Sequence, residues 1–521
     1  MFNKKKKFYI STSIVYASAI PHIGNIYEMI LADVIARFKR MEGYQVYFQT
    51  GTDEHGQKIE QKAKKENSSN QNYVDNISNQ IKKIYDLVNV KYDYFIRTTN
   101  ILHKQNVQNI IEKLFKQKDI YLGKYEGWYS VSEERFISEK DLINGKTINE
   151  EIPIWSSEEV YFFKLSNYQK RLLDYLKNNE NLILPIQRKK EILNLLNEPL
   201  TDLSISRNSV KWGISLTFNP EHIVYVWIDA LSNYITGFNC CFYNNKVCLK
   251  NEKFNYYWPC DLHVIGKDIS RFHLIYWPIL LMALDLPLPK QFLIHPWVLF
   301  NNKKMSKSTN NVLYINDLLK FFSVDAIRYF VLHEIPYVSD GIITYDLLLE
   351  RYNSDLVNVL GNLLNRTLGM LKKYRNNYIK KVFVSNLFLK EEINLAESSL
   401  KTFKLVCDYM KIYKISDALE QIIKLARLCN KYIDINEPWK LFKNIDFNEK
   451  LDFCLFNLIE TLRFIGVLLK PFLPDTATKI LNQIKAEKTT FDSLKKFGLT
   501  QEKKISIGFP LFKRLDKKIF F

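Results

Sequence analysis

The stretch from Phe8 to Gly43 constrains this chain more than any other. Phe8-Tyr9-Ile10-Ser11-Thr12-Ser13-Ile14-Val15-Tyr16 is short and dense in β-branched and aromatic residues, which fits a buried strand. Further on, Ile26, Ile30, Val34, Phe38 and Met41 recur at helical spacing, and Gly43 supplies a C-terminal stop. Between them lies Pro21-His22-Ile23-Gly24-Asn25, so the order is strand, loop, helix. The start of a helix presents unpaired N–H groups and the positive end of the macrodipole, which suits an anion such as a nucleotide phosphate. Gly24 lets a ligand approach the backbone, while His22 and Asn25 offer side-chain donors. Taken alone, the pentapeptide also fits an ordinary strand-to-helix turn with a buried histidine.

A chain of 521 residues, 47% apolar and 14% aromatic, has material for three or four domains with real cores. Lys and Arg number 74 against 56 acidic residues, a formal +18 that suggests a polyanionic partner; a Lys- and Asn-rich coding bias gives the same excess. The seven cysteines form no CxxC pair, so a reduced, cytoplasmic setting without a zinc knuckle is expected. The basic Met1–Lys7 leads into alternating Ser, Thr and Tyr rather than an apolar run, and no window reaches spanning length. Neither export nor membrane insertion is expected.

A second strand, Tyr44 to Thr50, runs into Gly51-Thr52-Asp53-Glu54-His55-Gly56. Open parallel sheets bind ligands beyond the carboxyl ends of their strands, and Asp53 there suits an ammonium group. A metal on Glu54, His55 and His22 is the lesser alternative, because the helical i, i+4 pair is missing. Residues 57–115 read as amphipathic helices around a Tyr92–Ile96 strand, and 116–205 as an insertion with strands near Gly127–Val131 and Val160–Leu165. The parent fold resumes with strand-like Val224–Ala230 and His263–Asp268, then a helix over Ile269–Leu286. Asn301 to Asn311, with Lys303, Lys304 and Lys307, lies between strand-like Trp297–Phe300 and a helix over Asp317–Phe322. It suits a loop that closes over a triphosphate, or equally a solvated surface loop. From Leu349 on, Leu356, Leu360, Leu363, Leu364, Leu368 and Leu371 make one helical stripe, and Ile422, Ile423, Leu425, Leu428 and Tyr432 another, as in a helix bundle.

Pro21-His22-Ile23-Gly24-Asn25 together with Lys304-Met305-Ser306-Lys307-Ser308 resembles the paired signatures of class I aminoacyl-tRNA synthetases. Thr50 to Gln57, Tyr225 to Ala230, Gly266-Lys267-Asp268 with His273 and Trp277, and Asn436-Glu437-Pro438-Trp439 resemble the methionyl-tRNA synthetase family, over almost the whole chain. The resemblance implies a Rossmann-type parallel-sheet α/β catalytic domain in two halves (1–115 and 206–295). An inserted connective domain (116–205) separates them, a Lys-loop and stem-contact region (296–350) follows, and an all-α anticodon-binding bundle (351–521) ends the chain. It implies that His22, Gly24, Asn25, Gly266, Asp268, Lys304, Met305, Ser306, Lys307 and Ser308 bind ATP, with His22, Asn25, Lys304 and Lys307 carrying catalysis. Asp53 would bind the methionine ammonium; Ser13, Ile14, Tyr16, Trp227, Ala230, Tyr234, His273 and Trp277 would form the side-chain pocket, with Arg207 nearby. Asn362, Arg366, Pro438 and Trp439 would read the anticodon. The implied partners are L-methionine, ATP with Mg²⁺, and initiator and elongator tRNA, with no structural zinc and a monomer as the working form.

Physical arguments bear on the amino acid. A pocket separates substrates differing by one methylene by only ~1–3 kcal/mol, so synthetases for small aliphatic side chains carry an editing domain, for which 116–205 is small. A long, soft thioether suits an aromatic pocket with a polar handle such as Tyr16 or His273. Three positions depart from the family pattern: Asn25 where histidine is usual, Leu231-Ser232 after Ala230, and Pro296 before the Lys loop. Another class I synthetase, or a tRNA-binding descendant without catalysis, remains the alternative.

Overall fold

In the computed structural model the described residues are 6–130, 135–137, 142, 144–147, 151–238, 242–243, 246–247, 251–305, 311–382, 393–506 and 508–520. The chain divides into two compact units, Met1–Pro21 with Tyr44–His295, and His22–Gly43 with Pro296–Phe521. No helix among the described residues is long and apolar enough to cross a membrane.

The first unit is built on a seven-stranded sheet in which every pairing is parallel. Val15–Tyr16, Gln45–Asp53, Lys7–Thr12, Leu262–Gly266, Phe292–His295 and Ile183–Leu184 follow one another, and Tyr94–Arg97 also pairs Gln45–Asp53. Parallel sheets are covered on both faces, which accounts for unbroken apolar strands such as Phe292–His295, buried at all four positions. The expected Phe8–Tyr16 strand is two strands, Lys7–Thr12 and Val15–Tyr16, with Ser13 and Ile14 at the break. Within the expected insertion, Ile120–Ser130 pairs antiparallel with Ile154–Phe163, but Ile183–Leu184 joins the large sheet beside Phe292 and Leu293.

One expectation fails, and another is modified, for physical reasons. Val224–Ala230 was expected to be strand-like, yet Val226–Thr236 is a helix, and only Ile223–Val224 is extended. The helix brings Asp229 and Asn233, four residues apart, to buried partners: Asp229 to His55 and His103, Asn233 to Gln49. Those bonds outweigh the β preference of Val226, Trp227 and Ile228. The single helix expected over Ile269–Leu286 is present as an unbroken helical run from Lys267 to Ala283, which opens as a 3₁₀ turn at Lys267–Ile269, widens to a π turn at Phe272–Tyr276 and continues as an α-helix at Trp277–Ala283. Pro278, near the start of that last helix, lacks the N–H that a continuous α-helix would use.

The second unit contains the helix Ile23–Met41, the small sheet of Lys303–Lys304, Val298–Phe300 and Gly341–Ile343, and the C-terminal helices. All six leucines of the first expected stripe are buried, along a π-helical Tyr352–Gly361 continuing into Asn362–Arg375. Ile415–Asn436 and Asn448–Leu469 pack with it, and Leu395–Lys411 packs on those two. Helix Ile23–Met41 is held to this unit by an ion pair at 0% exposure on both sides. Arg328 Nη2 donates to Asp33 Oδ2 at 2.7 Å, and the same guanidinium donates to the carbonyls of Pro471 and Phe472. Removing one member of such a pair leaves a buried charge and costs about 3–5 kcal/mol.

Candidate active site

His22 is the N-cap of Ile23–Met41. Its Nδ1 accepts the Gly24 N–H at 3.1 Å while its own N–H donates to Asn25 Oδ1 at 3.2 Å, a reciprocal capping box. Because Nδ1 accepts, the neutral ring carries its proton on Nε2, the tautomer that can donate to an anion. A Cβ on Gly24 would sit 3.0 Å from His22 Cε1 and 3.2 Å from Met305 Cε, so a side chain here would press on both, and the Lys-loop methionine lies against the signature turn. Ile23 N–H also donates to the carbonyl of Leu313, beyond that loop, at 2.9 Å. The two signatures, 280 residues apart, therefore meet. Lys304 Nζ stands 4.4 Å from the centroid of the Trp297 ring. Ser306, Lys307 and Ser308 lie outside the described residues.

In the first unit, Val15 and Tyr16 pair in register with Thr52 and Asp53, and Ala17 N–H donates to the Asp53 carbonyl at 2.7 Å, so Tyr16 and Asp53 share one edge of the sheet's carboxyl end. Ser13 and Ile14 lie just before. The Trp227 ring stacks on Phe272 at 3.7 Å with 3° between planes, and its edge meets His273. Ala230, one turn after Trp227 and one before Tyr234, is buried on the same helix.

Behind this face the polar groups are locked. His273 Nδ1 is 2.9 Å from the Ile269 carbonyl and must donate, so Nε2 accepts the Tyr234 hydroxyl at 2.8 Å. Trp277 Nε1 can only donate, so His263 Nε2 accepts it at 3.2 Å and His263 Nδ1–H donates to Ser11 Oγ at 2.6 Å. Burial drives His273 down to about 4, against the pull of the Ile269 carbonyl and Asp268, and drives His263 well below the usual imidazole range. Both rings are neutral at pH 7. His273, Trp277 and Tyr234 thus come together, and His263, which the sequence reading does not single out, bonds Trp277 and meets the Tyr234 ring edge-on at 4.4 Å.

A Cβ on Gly266 would come within 2.8 Å of Asp268 Oδ1, so the Asp268 side chain lies directly over this glycine; Asp268 itself is exposed. Arg207 is buried, donating to Ser204 Oγ at 2.7 Å and to the Ser206 carbonyl at 2.6 Å, with its guanidinium 4.8 Å from the centroid of Tyr225. It lines a small cleft with His55, Tyr129, Trp212, Tyr225 and Val226. His55 and Glu54 are spoken for: His55 bonds Asp229 at 2.7 Å, and Glu54 takes Arg97 through two N–H donors together with Thr99. Burial favours protonation of Asp229, but His55 and His103 overcome it and hold the carboxyl at about 2. This His–Asp–His network had a sequence signal, a carboxylate inside an apolar run, which must find a partner when buried.

In the helical region Asn362 donates to Asn430 Oδ1 at 3.2 Å and Arg366 to Asp434 Oδ1 at 2.6 Å, so both face helix Ile415–Asn436. That helix ends at Glu437, with φ of 44°, and Pro438 begins the next turn. Pro438 is buried, whereas Trp439 is 38% exposed.

Comparison with known proteins accords with this arrangement. The family model for class I (M) tRNA synthetases matches residues 8–146 and 137–368, and the anticodon binding domain of methionyl tRNA ligase matches 388–513. The methionine–tRNA ligases of Clostridium acetobutylicum and Caldanaerobacter subterraneus are each 45% identical, over 99% and 98% of this chain and 80% and 79% of their own lengths. The structure of Mycobacterium tuberculosis methionyl-tRNA synthetase in complex with methionyl-adenylate superposes with a TM-score of 0.91 at 34% identity, covering 98% of this chain and all of that one. A signature turn seated against the Lys loop, an aromatic cage of neutral imidazoles and a matching C-terminal helical domain place the chain in the methionyl-tRNA synthetase family of class I aminoacyl-tRNA synthetases.

Proposed function

We propose that the residues divide the work of methionine activation and tRNA charging as follows. The observation that carries the reading is the capping box at His22, which leaves the ring proton on Nε2 beside a helix N-terminus, a combination suited to an anion, while Met305 packs on Gly24. His22, Gly24, Asn25 and Lys304, with Met305, Ser306, Lys307 and Ser308 of the same loop, bind the triphosphate of ATP. Gly266 and Asp268 take its ribose. Asp53 binds the methionine ammonium; Tyr16, Trp227, Ala230, Tyr234, His273 and Trp277 enclose the thioether, Ser13 and Ile14 line its edge, and Arg207 lies near the activated carboxyl.

Mg²⁺ enters on the nucleotide, since imidazole, amide and ammonium groups are donors to phosphate oxygens rather than the hard oxygen ligands this ion prefers. The methionine carboxylate attacks the α-phosphorus in line, pyrophosphate leaves, and the terminal ribose hydroxyl of tRNA then attacks the acyl carbon. No protein nucleophile takes part: positioning and charge stabilisation by His22, Lys304 and Lys307 lower the barrier.

Residues 116–205 form the connective segment, 296–350 touch the tRNA stem, and within 351–521 Asn362, Arg366, Pro438 and Trp439 read the anticodon of initiator and elongator tRNA. The Arg366–Asp434 pair opens for that purpose. The setting is the cytoplasm, consistent with the free thiols of Cys260, Cys407, Cys429 and Cys454, and the working form is a monomer. Pyrophosphate exchange measured across the amino acids tests the reading: methionine alone stimulates it, and stimulation by valine or isoleucine instead overturns it.

A further inference from the structure

Phe442 is 44% exposed, yet its ring is held in place. It stacks on Tyr374 with 4.5 Å between centroids and 26° between planes, and Tyr374 is itself half-buried at the end of helix Asn362–Arg375. Trp439 at 38%, Ile445 at 81% and Phe447 at 45% exposure lie in the same nine residues. A buried aromatic needs no explanation beyond the core; an exposed ring fixed on another presents a flat face to solvent.

The surroundings indicate what that face meets. Residues 370–381 and 437–447, which flank the stack, hold seven Lys or Arg against two acidic residues. Lys373 Nζ stands 5.8 Å from the centroid of Tyr374. Flat apolar rings among cations suit unpaired nucleic-acid bases, which stack through their π faces while their phosphates are neutralised. Tyr374 also lies eight residues beyond Arg366 on one helix, about 12 Å along its axis, a span of a few stacked bases.

We propose that Phe442, backed by Tyr374, is a second stacking surface for the tRNA loop, taking a base beside the one assigned to Trp439. The inference rests on the reading of residues 351–521 as the anticodon-binding unit. Trp439 and Phe442 are three residues apart in a helical turn, the spacing of neighbouring side chains. Lys443, next to Phe442, meets the phosphate of that nucleotide.

The test is titration of the full chain with an anticodon stem-loop RNA. Phe442→Ala and Phe442→Leu weaken binding about tenfold, Phe442→Tyr restores it, and Lys443→Ala lowers the salt slope by about one. A purely structural role predicts that Leu serves as well as Tyr. RNA binding that Trp439→Ala weakens while Phe442→Leu leaves it at the parent level overturns this inference alone. Failure of the parent chain to bind the stem-loop overturns the underlying reading of the helical unit as well.

Discussion

The amino-acid pocket proposed for the first unit and the anion-binding surfaces proposed for the second hold their side chains in opposite ways. Around Tyr234, His273, Trp277 and His263 every donor identified has one acceptor, each imidazole has one tautomer, and the rings are buried. At His22, Lys304, Arg366, Trp439 and Phe442 the groups are partly or fully exposed, and several are held by bonds that a ligand can replace. An uncharged thioether offers little to hold, so the proposed pocket would select it by fixed shape. A polyanion offers charge at many points, so it is met by accessible donors that pay little desolvation before binding.

That contrast breaks first at His22. His22→Ala is expected to slow methionine-dependent pyrophosphate exchange by about two to three orders of magnitude. Loss of the cap costs the fold only about 1 kcal/mol, a few degrees in thermal midpoint. Collapse of the fold instead of the rate would erase the distinction between an accessible binding group and a structural one.

In the buried network the reverse holds. Asp229→Asn removes the charge between His55 and His103 and is expected to cost about 3 kcal/mol in denaturant unfolding. Because the Asp229 carboxyl is depressed in the folded state, its contribution is present above about pH 4 and is lost as pH falls toward 2. The Asn variant loses that acid-limb dependence.

The smallest effect sharpens the comparison by asking how far the second unit also relies on buried charge. His333 sits between Glu334 at 2.6 Å and Glu420 at 3.1 Å; burial lowers it, but the two carboxylates win and raise it to about 9. A raised imidazole stabilises fully below about pH 6.5 and loses that contribution as pH climbs through 9. His333→Gln should flatten the melting temperature between those limits; an unchanged slope would mean the pair does not operate.

Much of this was legible because it is local. The strand–loop–helix of residues 8–43, the leucine stripe from 356 to 371 and the extended stretches around Gly127 and Val160 each follow from neighbours in sequence. What escaped depends on distant partners. Val226–Thr236 coils because Asp229 finds His103, 126 positions earlier, and His263 matters because Trp277 and Ser11 converge on it. Ile183–Leu184 is too short to announce itself as a strand of the main sheet. The family signatures marked Trp277 and His273 without revealing what orients them.

The Asp33–Arg328 pair has a consequence for engineering. The helix that carries the phosphate signature folds with residues 296–521 although it is encoded near the N-terminus. A chimera spliced at residue 295 would therefore separate Asp33 from its native partner and seat a foreign helix over an uncompensated guanidinium. Transplanting the C-terminal half into a related enzyme requires carrying residues 22–43 along with it.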